Sequence, residues 1–398
     1  MKRLLCLSIA LLIFISSLCV SAYAADDSCG FAVATDLHYV HPLPNADDYV
    51  VAESFGSNIE GKKYQHESGF IIDEFLRQCA EDDGCDFVLL SGDLVTYGRD
   101  FVEDHYALAQ KFRDFEQATG KQVYVINGNH DLGEGSDTDR EDFMRIYADF
   151  GFDEALATDP GTCSYTANLG SKYRLIALDS CTEGGGTADG LTTDKLDWVR
   201  IQASQAKADG RYPILMMHHN LLDHMPMQRI FSKNFIIRFH RSTAELFADW
   251  GIKLVFTGHE HCSDAASYTS AAGNVIYDFA TTSLTMYPLQ YRLFELTDSK
   301  ISYKAATVDS IDTEALANQT SGYSEAQLSL MNEGLNAYAK GFLKKGVEYR
   351  LSLSLSMEKI GIEPGDFSYD LVNTAVSGLL DILKNPLYGE NGVSALAK

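Results

Sequence analysis

Between about Gly30 and Asp298, short apolar runs alternate with stretches of helical spacing. Five runs stand out: Phe31–Ala34, Phe87–Leu90, Val123–Ile126, Ile214–Met217 and Leu254–Phe256. They are rich in β-branched and aromatic residues and read as buried strands. Helices are expected over Gly69–Ala80, Phe101–Ala118, Arg140–Phe150, Thr193–Ala208 and Thr243–Trp250, each lying between two of the apolar runs. Such alternation predicts an α/β domain.

After His261 the pattern shortens to Val275–Phe279, Tyr291–Leu296 and Ile301–Val308, and Thr297-Asp298-Ser299-Lys300 suits a hairpin turn, so the sheet is expected to finish antiparallel. Residues 309–322 are polar and read as a linker; they include Asn318-Gln319-Thr320, a glycosylation sequon that matters only in a eukaryotic host. Over 323–398 a helical region follows. Ser324 with Gln327 resembles a capping box, and Leu328, Met331, Leu335, Tyr338 and Phe342 recur with helical spacing. A second helix is expected over Tyr369–Leu383, stopped by Asn385-Pro386. This tail shows no chemistry of its own and is expected to be a packing appendage.

Composition narrows the class. The chain has 398 residues with 45% hydrophobic and 22% charged positions, which is globular rather than disordered. Lys2-Arg3, an apolar stretch from Leu4 to Val20 and Ala22-Tyr23-Ala24 form the three-part pattern of an export signal over 1–24, cut before Ala25. The alternative, an uncleaved anchor, is disfavoured by the small residues at the cut, and a lipoprotein by Leu18 before Cys19. No later segment is long and apolar enough to span a bilayer. The protein is therefore expected outside the cytoplasm, extracellular or periplasmic. Loss of Lys2 and Arg3 takes the net charge from -24 to -26, which repels polyanions, so no nucleic-acid partner is expected. Six cysteines remain after the cut; Cys79 with Cys85 and Cys163 with Cys181 are the pairings suggested by proximity, with free buried thiols as the alternative.

Each of the five runs ends in residues that bind metal well. The first leads to Asp36-Leu37-His38, the second to Gly92-Asp93, and the third to Gly128-Asn129-His130-Asp131. The fourth leads to His218 and the fifth to Gly258-His259-Glu260-His261. Ligands in open α/β sheets sit just beyond the carboxyl ends of strands, so one pocket can receive all five tips. Imidazole and carboxylate oxygen suit Mn, Fe, Zn or Co, and the lack of cysteine at the tips argues against a structural zinc site.

The series DxH, GDxx, GNH(D/E), a strand-end His and GHxH resembles the calcineurin-like metallophosphoesterase family, over roughly Phe31 to His261 by motif. The resemblance implies a four-layer α/β/β/α sandwich over 25–308 holding two divalent or trivalent transition-metal ions. It implies that Asp36, His38 and His261 hold one ion, Asn129, His218 and His259 the other, and Asp93 bridges them. Side chains alternate faces on a strand, so only one of His218 and adjacent His219 faces the site, and the resemblance implies His218, since the family uses the first. His130 would be the uncoordinated acid, with Asp131 as a candidate to orient it. Two metals can share a hydroxide and clamp the attacking and leaving oxygens of an in-line displacement.

Other histidines have plainer readings. His66, His105 and His240 are expected to be surface or hydrogen-bonded core residues, whereas His41, His219, His224, Tyr39 and Tyr97 flank the site and serve either structure or substrate. Departures from subfamily patterns narrow the branch. Thr96 stands where purple acid phosphatases carry a metal-binding tyrosine, the Asp-Arg pair of serine/threonine phosphatases is missing from 93–98, and Gly128-Asn129-His130-Asp131-Leu132-Gly133 departs from the nucleotidase pattern. What remains is most similar to bacterial phosphodiesterases, so small phosphodiesters are slightly preferred as substrate. The alternatives are a phosphomonoesterase of acid-phosphatase or nucleotidase type, a nuclease disfavoured by charge, and a non-catalytic secreted binder of metal or phosphate.

Overall fold

A computed structural model describes residues 28–41, 63–133, 135–181, 191–226, 228–297, 300–319 and 323–343. The expected export signal, Thr320 of the sequon and the helix expected over Tyr369–Leu383 lie outside these residues. In chain order the strands are β1 (Cys29–Ala34), β2 (Phe87–Ser91), β3 (Gln122–Ile126), β4 (Ala157–Thr158), β5 (Tyr165–Leu169) and β6 (Tyr173–Leu178). They continue with β7 (Tyr212–Met217), β8 (Leu254–Thr257), β9 (Asp264–Thr269), β10 (Val275–Ala280), β11 (Gln290–Leu296) and β12 (Ile301–Thr307).

Two sheets form. One runs β12-β11-β1-β2-β3 and the other β4-β5-β6-β7-β8-β10-β9. Within them β1, β2 and β3 are parallel, as are β6, β7, β8 and β10, and antiparallel strands close one edge of the first sheet and both edges of the second. The β11–β12 pair is antiparallel, with Thr297 N–H donating to Lys300 O at 2.9 Å.

Alternate residues of the central strands feed two different cores, which is why their sequences are apolar at every position. In β7, Ile214 and Met216 face the core between the sheets, whereas Leu215 and Met217 pack with Val199 and Ala203 of helix Thr193–Ala208 and Phe247 of helix His240–Asp249. Between the sheets Phe31 stacks on Phe87 and Phe294, with centroids at 5.0 and 5.3 Å, and meets Phe256 of the opposite sheet edge-on at 5.5 Å. Burying such a ring stabilises by about 1.5–3 kcal/mol. Helices Ser68–Glu81 and Val102–Thr119 cover the first sheet with Ile71, Ile72, Phe75, Leu108 and Phe112. The layers are therefore helix, sheet, sheet, helix.

Differences from the expected elements have local causes. The helix expected over Arg140–Phe150 ends at Ile146; a wide turn over Ala148–Phe152 follows, where Gly151 has φ 111° and any side chain would overlap the Tyr165 ring. Strands β4, β5, β6 and β9 were not expected. All six cysteines among the described residues are free, so neither expected pairing is present. Within 309–322 a short helix forms over Thr313–Gln319, with Leu316 buried. The Ser324–Gln327 capping box is complete, and Met331, Leu335, Ala339 and Phe342 join the core between the layers.

Candidate metal centre

Parallel pairing puts the carboxyl ends of β1, β2 and β3 on one edge, and those of β7 and β8 on the facing edge. Backbone bonds stitch the tips together: Asp36 N–H to Gly92 O and His38 N–H to Asp93 O, both 3.0 Å, and Gly258 N–H to His218 O at 2.9 Å. Between the sheets His259 N–H donates to Asp36 Oδ2 at 2.9 Å. Each tip turns back sharply. Asp36, His38, Asp93, His259 and His261 have φ between 45° and 65°, a left-handed conformation uncommon outside glycine and typical of functional sites. The motif glycines allow the close approach. A Cβ on Gly128 would strike Asp93, and one on Gly258 would strike Thr35 and come within 2.5 Å of Asp36 Oδ2.

The seven candidate ligands all come together. In the first triad, Asp36 Oδ1 lies 2.9 Å from His261 Nε2 and 3.6 Å from His38 Nε2, and the two imidazole nitrogens are 3.3 Å apart. Around the second, His218 Nε2 lies 3.1 Å from both His259 Nδ1 and Asn129 Oδ1, and 3.3 Å from Asp93 Oδ2. Asp93 Oδ2 also stands 3.8 Å from His38 Nε2, which puts it between the triads. Ligands at 2.0–2.2 Å from one transition-metal ion are separated by about 3.0–3.5 Å. The donor spacing therefore fits two cations. It also brings lone pairs together, at a cost that cations would offset.

Electrostatics follow from this crowding. Burial would raise the Asp36 and Asp93 carboxyls, but the surrounding imidazoles, led by His261 for Asp36 and His218 for Asp93, outweigh it and hold both well below the usual carboxylate range. Burial likewise opposes charge on His218, yet Asp93 and Asp36 hold it up to about 9. Burial and the neighbouring His218 push His259 down to about 3. His218 Nδ1–H donates to Ser91 O at 2.9 Å, which aims Nε2 at the centre.

His130 belongs to neither triad. Its backbone N–H donates to Asp93 Oδ1 at 2.8 Å, its Nδ1–H to Thr96 O at 2.9 Å, and its Nε2 stands 4.0 Å from Asp93 Oδ2. One role assigned from the sequence is corrected here. Asp131 does not orient His130; its carboxylate accepts from Val95 N at 3.0 Å and Gly128 N at 2.6 Å, binding the β2 and β3 tips together. His219 belongs to neither triad but packs beside the second, its ring on that of His259 with centroids 4.5 Å apart and its Nδ1 2.9 Å from Ser180 Oγ. His105 is a core residue, bonded to Tyr147 Oη at 3.0 Å and Asp131 O at 2.7 Å, and His240 pairs with Asp223 at 3.4 Å.

Three groups have no signal in the motif spacing. Lys63 Nζ lies 3.2 Å from His38 Nδ1. Phe235 stacks on His259 at 4.3 Å. Asp278 accepts from Leu221 N, Leu222 N and Thr257 Oγ1, each at 2.8 Å, fixing the chain beside His218 and His259.

No curated protein matches the chain. Among solved structures, a dimetal phosphatase from Danio rerio is similar at 12% identity and a TM-score of 0.50, covering 70% of this chain and 95% of that one. That likeness is one of fold. A phosphopantetheinyl hydrolase from Mycobacterium tuberculosis aligns at 11% identity, TM-score 0.32, over 65% and 91% of the two chains. With two sheets between helices, candidate ligands at five strand tips, and residues 30–263 matching the family model, the chain belongs to the calcineurin-like phosphoesterase family.

Proposed function

We propose that the protein is an exported, dinuclear metal-dependent hydrolase of small phosphoesters, with phosphodiesters slightly preferred. The observation that carries this reading is Asp93 Oδ2 standing between the two triads with His130 Nε2 4.0 Å away. Asp36, His38 and His261 would hold one ion, Asn129, His218 and His259 the other, and Asp93 both. A bound cation pair supplies charge for the phosphoryl oxygens and a nucleophile drawn from water for in-line displacement. His130 then has a defined task. Thr96 O fixes its Nδ1–H, so Nε2 is left to hold or deliver a proton at the departing oxygen.

The diester preference is supported by Thr96 in place of a metal-binding tyrosine and by the departures at 93–98 and 131–133. Export is supported by the pattern over residues 1–24. The test is turnover by the mature chain of bis(4-nitrophenyl) phosphate and 4-nitrophenyl phosphate with Mn2+, Fe2+, Zn2+ or Co2+. A higher kcat/KM on the diester is expected. Preference for the monoester would move the assignment to a phosphomonoesterase, and inertness on both with every metal would leave only a binder.

A further inference from the structure

Lys63 is buried, at 8% exposure, with its Nζ–H donating to His38 Nδ1 at 3.2 Å. Its segment is held on three sides. Tyr64 N–H donates to Thr285 O at 2.7 Å and Val40 N–H to Ser68 Oγ at 3.1 Å. The Tyr64 ring packs on Tyr338 and Phe342, with centroids at 6.0 and 4.7 Å, and Tyr323 Oη–H donates to Glu67 Oε1 at 2.5 Å. Tyr338 and Phe342 lie on the helix at 335–343, so the C-terminal region reaches His38 through Tyr64 and Lys63.

An ammonium only donates, and a neutral imidazole has one N–H and one lone pair. Accepting at Nδ1 therefore places the His38 hydrogen on Nε2, the atom facing Asp36 and His261. Coordination through Nε2 needs the reverse. The contact behind His218 is of the opposite kind, with Nδ1–H donating to Ser91 O, which suits coordination through Nε2. The two triads are thus unequal both in hydrogen bonding and in charge.

We infer that Lys63 makes the Asp36–His38–His261 triad the weaker of the two cation sites, one that fills only as the ammonium is displaced, with helix 335–343 resisting that displacement. The inference rests on the dinuclear reading above. Calorimetric titration of the chelator-stripped full mature chain with MnCl2 tests it without reference to turnover. Wild type should show two binding events, the weaker one abolished by His261→Ala. A unit and a divalent charge about 6 Å apart repel, even at the dielectric of water, enough to change affinity about tenfold. Lys63→Met and Lys63→Gln, checked as folded by circular dichroism, should accordingly tighten the weaker event about tenfold. Lys63→Arg keeps the charge and should stay within about threefold of wild type, whereas Phe342→Ala should tighten the event by less than Lys63→Met does. If both neutral variants bind Mn2+ no tighter than wild type, or if Lys63→Arg tightens it as much, the inference is overturned and the dinuclear reading stands. Fewer than two events in wild type and in Lys63→Met alike would overturn both.

Discussion

Replacing His224 by glutamine removes a buried cation and with it a pH-dependent part of the stability. His224 Nδ1 lies 3.1 Å from Asp264 Oδ2 and Nε2 3.0 Å from Asp278 Oδ2. Burial opposes its charged form, but Asp278 and Asp264 outweigh burial and hold it up to about 9. An unfolded imidazole titrates near 6.5, so the difference corresponds to about 3 kcal/mol at about 1.4 kcal/mol per pH unit. The folded state binds this proton more tightly. Its contribution is therefore complete below about pH 6.5 and lost as pH rises through about 9. Urea unfolding of wild type and His224→Gln from pH 5.5 to 9.5, in chelating buffer, gives a difference in stability at each pH. Subtraction cancels groups common to both, such as Glu67 and Asp104, which burial raises to about 7. The difference should shrink by about 3 kcal/mol between pH 6.5 and 9. A difference constant across that range would refute the paired-cation reasoning, because a merely structural histidine would destabilise equally at every pH.

His130→Ala should lower kcat by about 10²–10⁴-fold while calorimetric Mn2+ affinity stays within about threefold, since His130 lies outside both triads. Gly258→Ala should cost about 1–3 kcal/mol in urea unfolding and weaken Mn2+ binding, because the added methyl would displace Asp36 Oδ2. Adding Mn2+ at 100 times its Kd to the stripped protein should stabilise it by about 2.7 kcal/mol, and an unchanged Tm would contradict a native-state cation site.

The strands that build the site were legible because they are buried on both faces and so are apolar throughout. Strand β9, Asp264–Thr269, escaped because it is an edge with its polar residues exposed, and β4 has only two residues. Helix starts shifted where the backbone, not the periodicity, decides. The helix expected from Thr243 begins at His240, directly after Phe239 at φ 60°. The proximity of the seven candidate ligands was legible because each lies within four residues of a strand tip. Lys63, Asp278 and Thr96 O act across the fold, 25, 57 and 34 residues from His38, Leu221 and His130, and only chain closure brings them near. Adjacency misled at Asp131, which the turn aims at Gly128 and Val95 instead of at its neighbour His130.

The strain at the tips and the chemistry of the centre have one cause. A strand that continued in extended conformation would carry Asp36, His38, Asp93, His259 and His261 straight out beyond the sheet edge, with Asp36 and His38 on one face and His259 and His261 on one face. Left-handed φ at each reverses the chain within a residue or two and turns the donor atoms inward, at about 1–3 kcal/mol per strained residue. The backbone N–H groups of His130 and His259 are then left pointing at Asp93 Oδ1 and Asp36 Oδ2. Each carboxylate is thus anchored through one oxygen and presents the other, Asp93 Oδ2 and Asp36 Oδ1, to the triads. Fixing the acceptors in this way before any cation arrives lowers the cost of reorganisation when one binds. It also explains why Gly128 and Gly258 have no room for a side chain: Asp93 Oδ1 stands where a Cβ on Gly128 would, and Asp36 Oδ2 with the Thr35 hydroxyl bonded to it stands where one on Gly258 would.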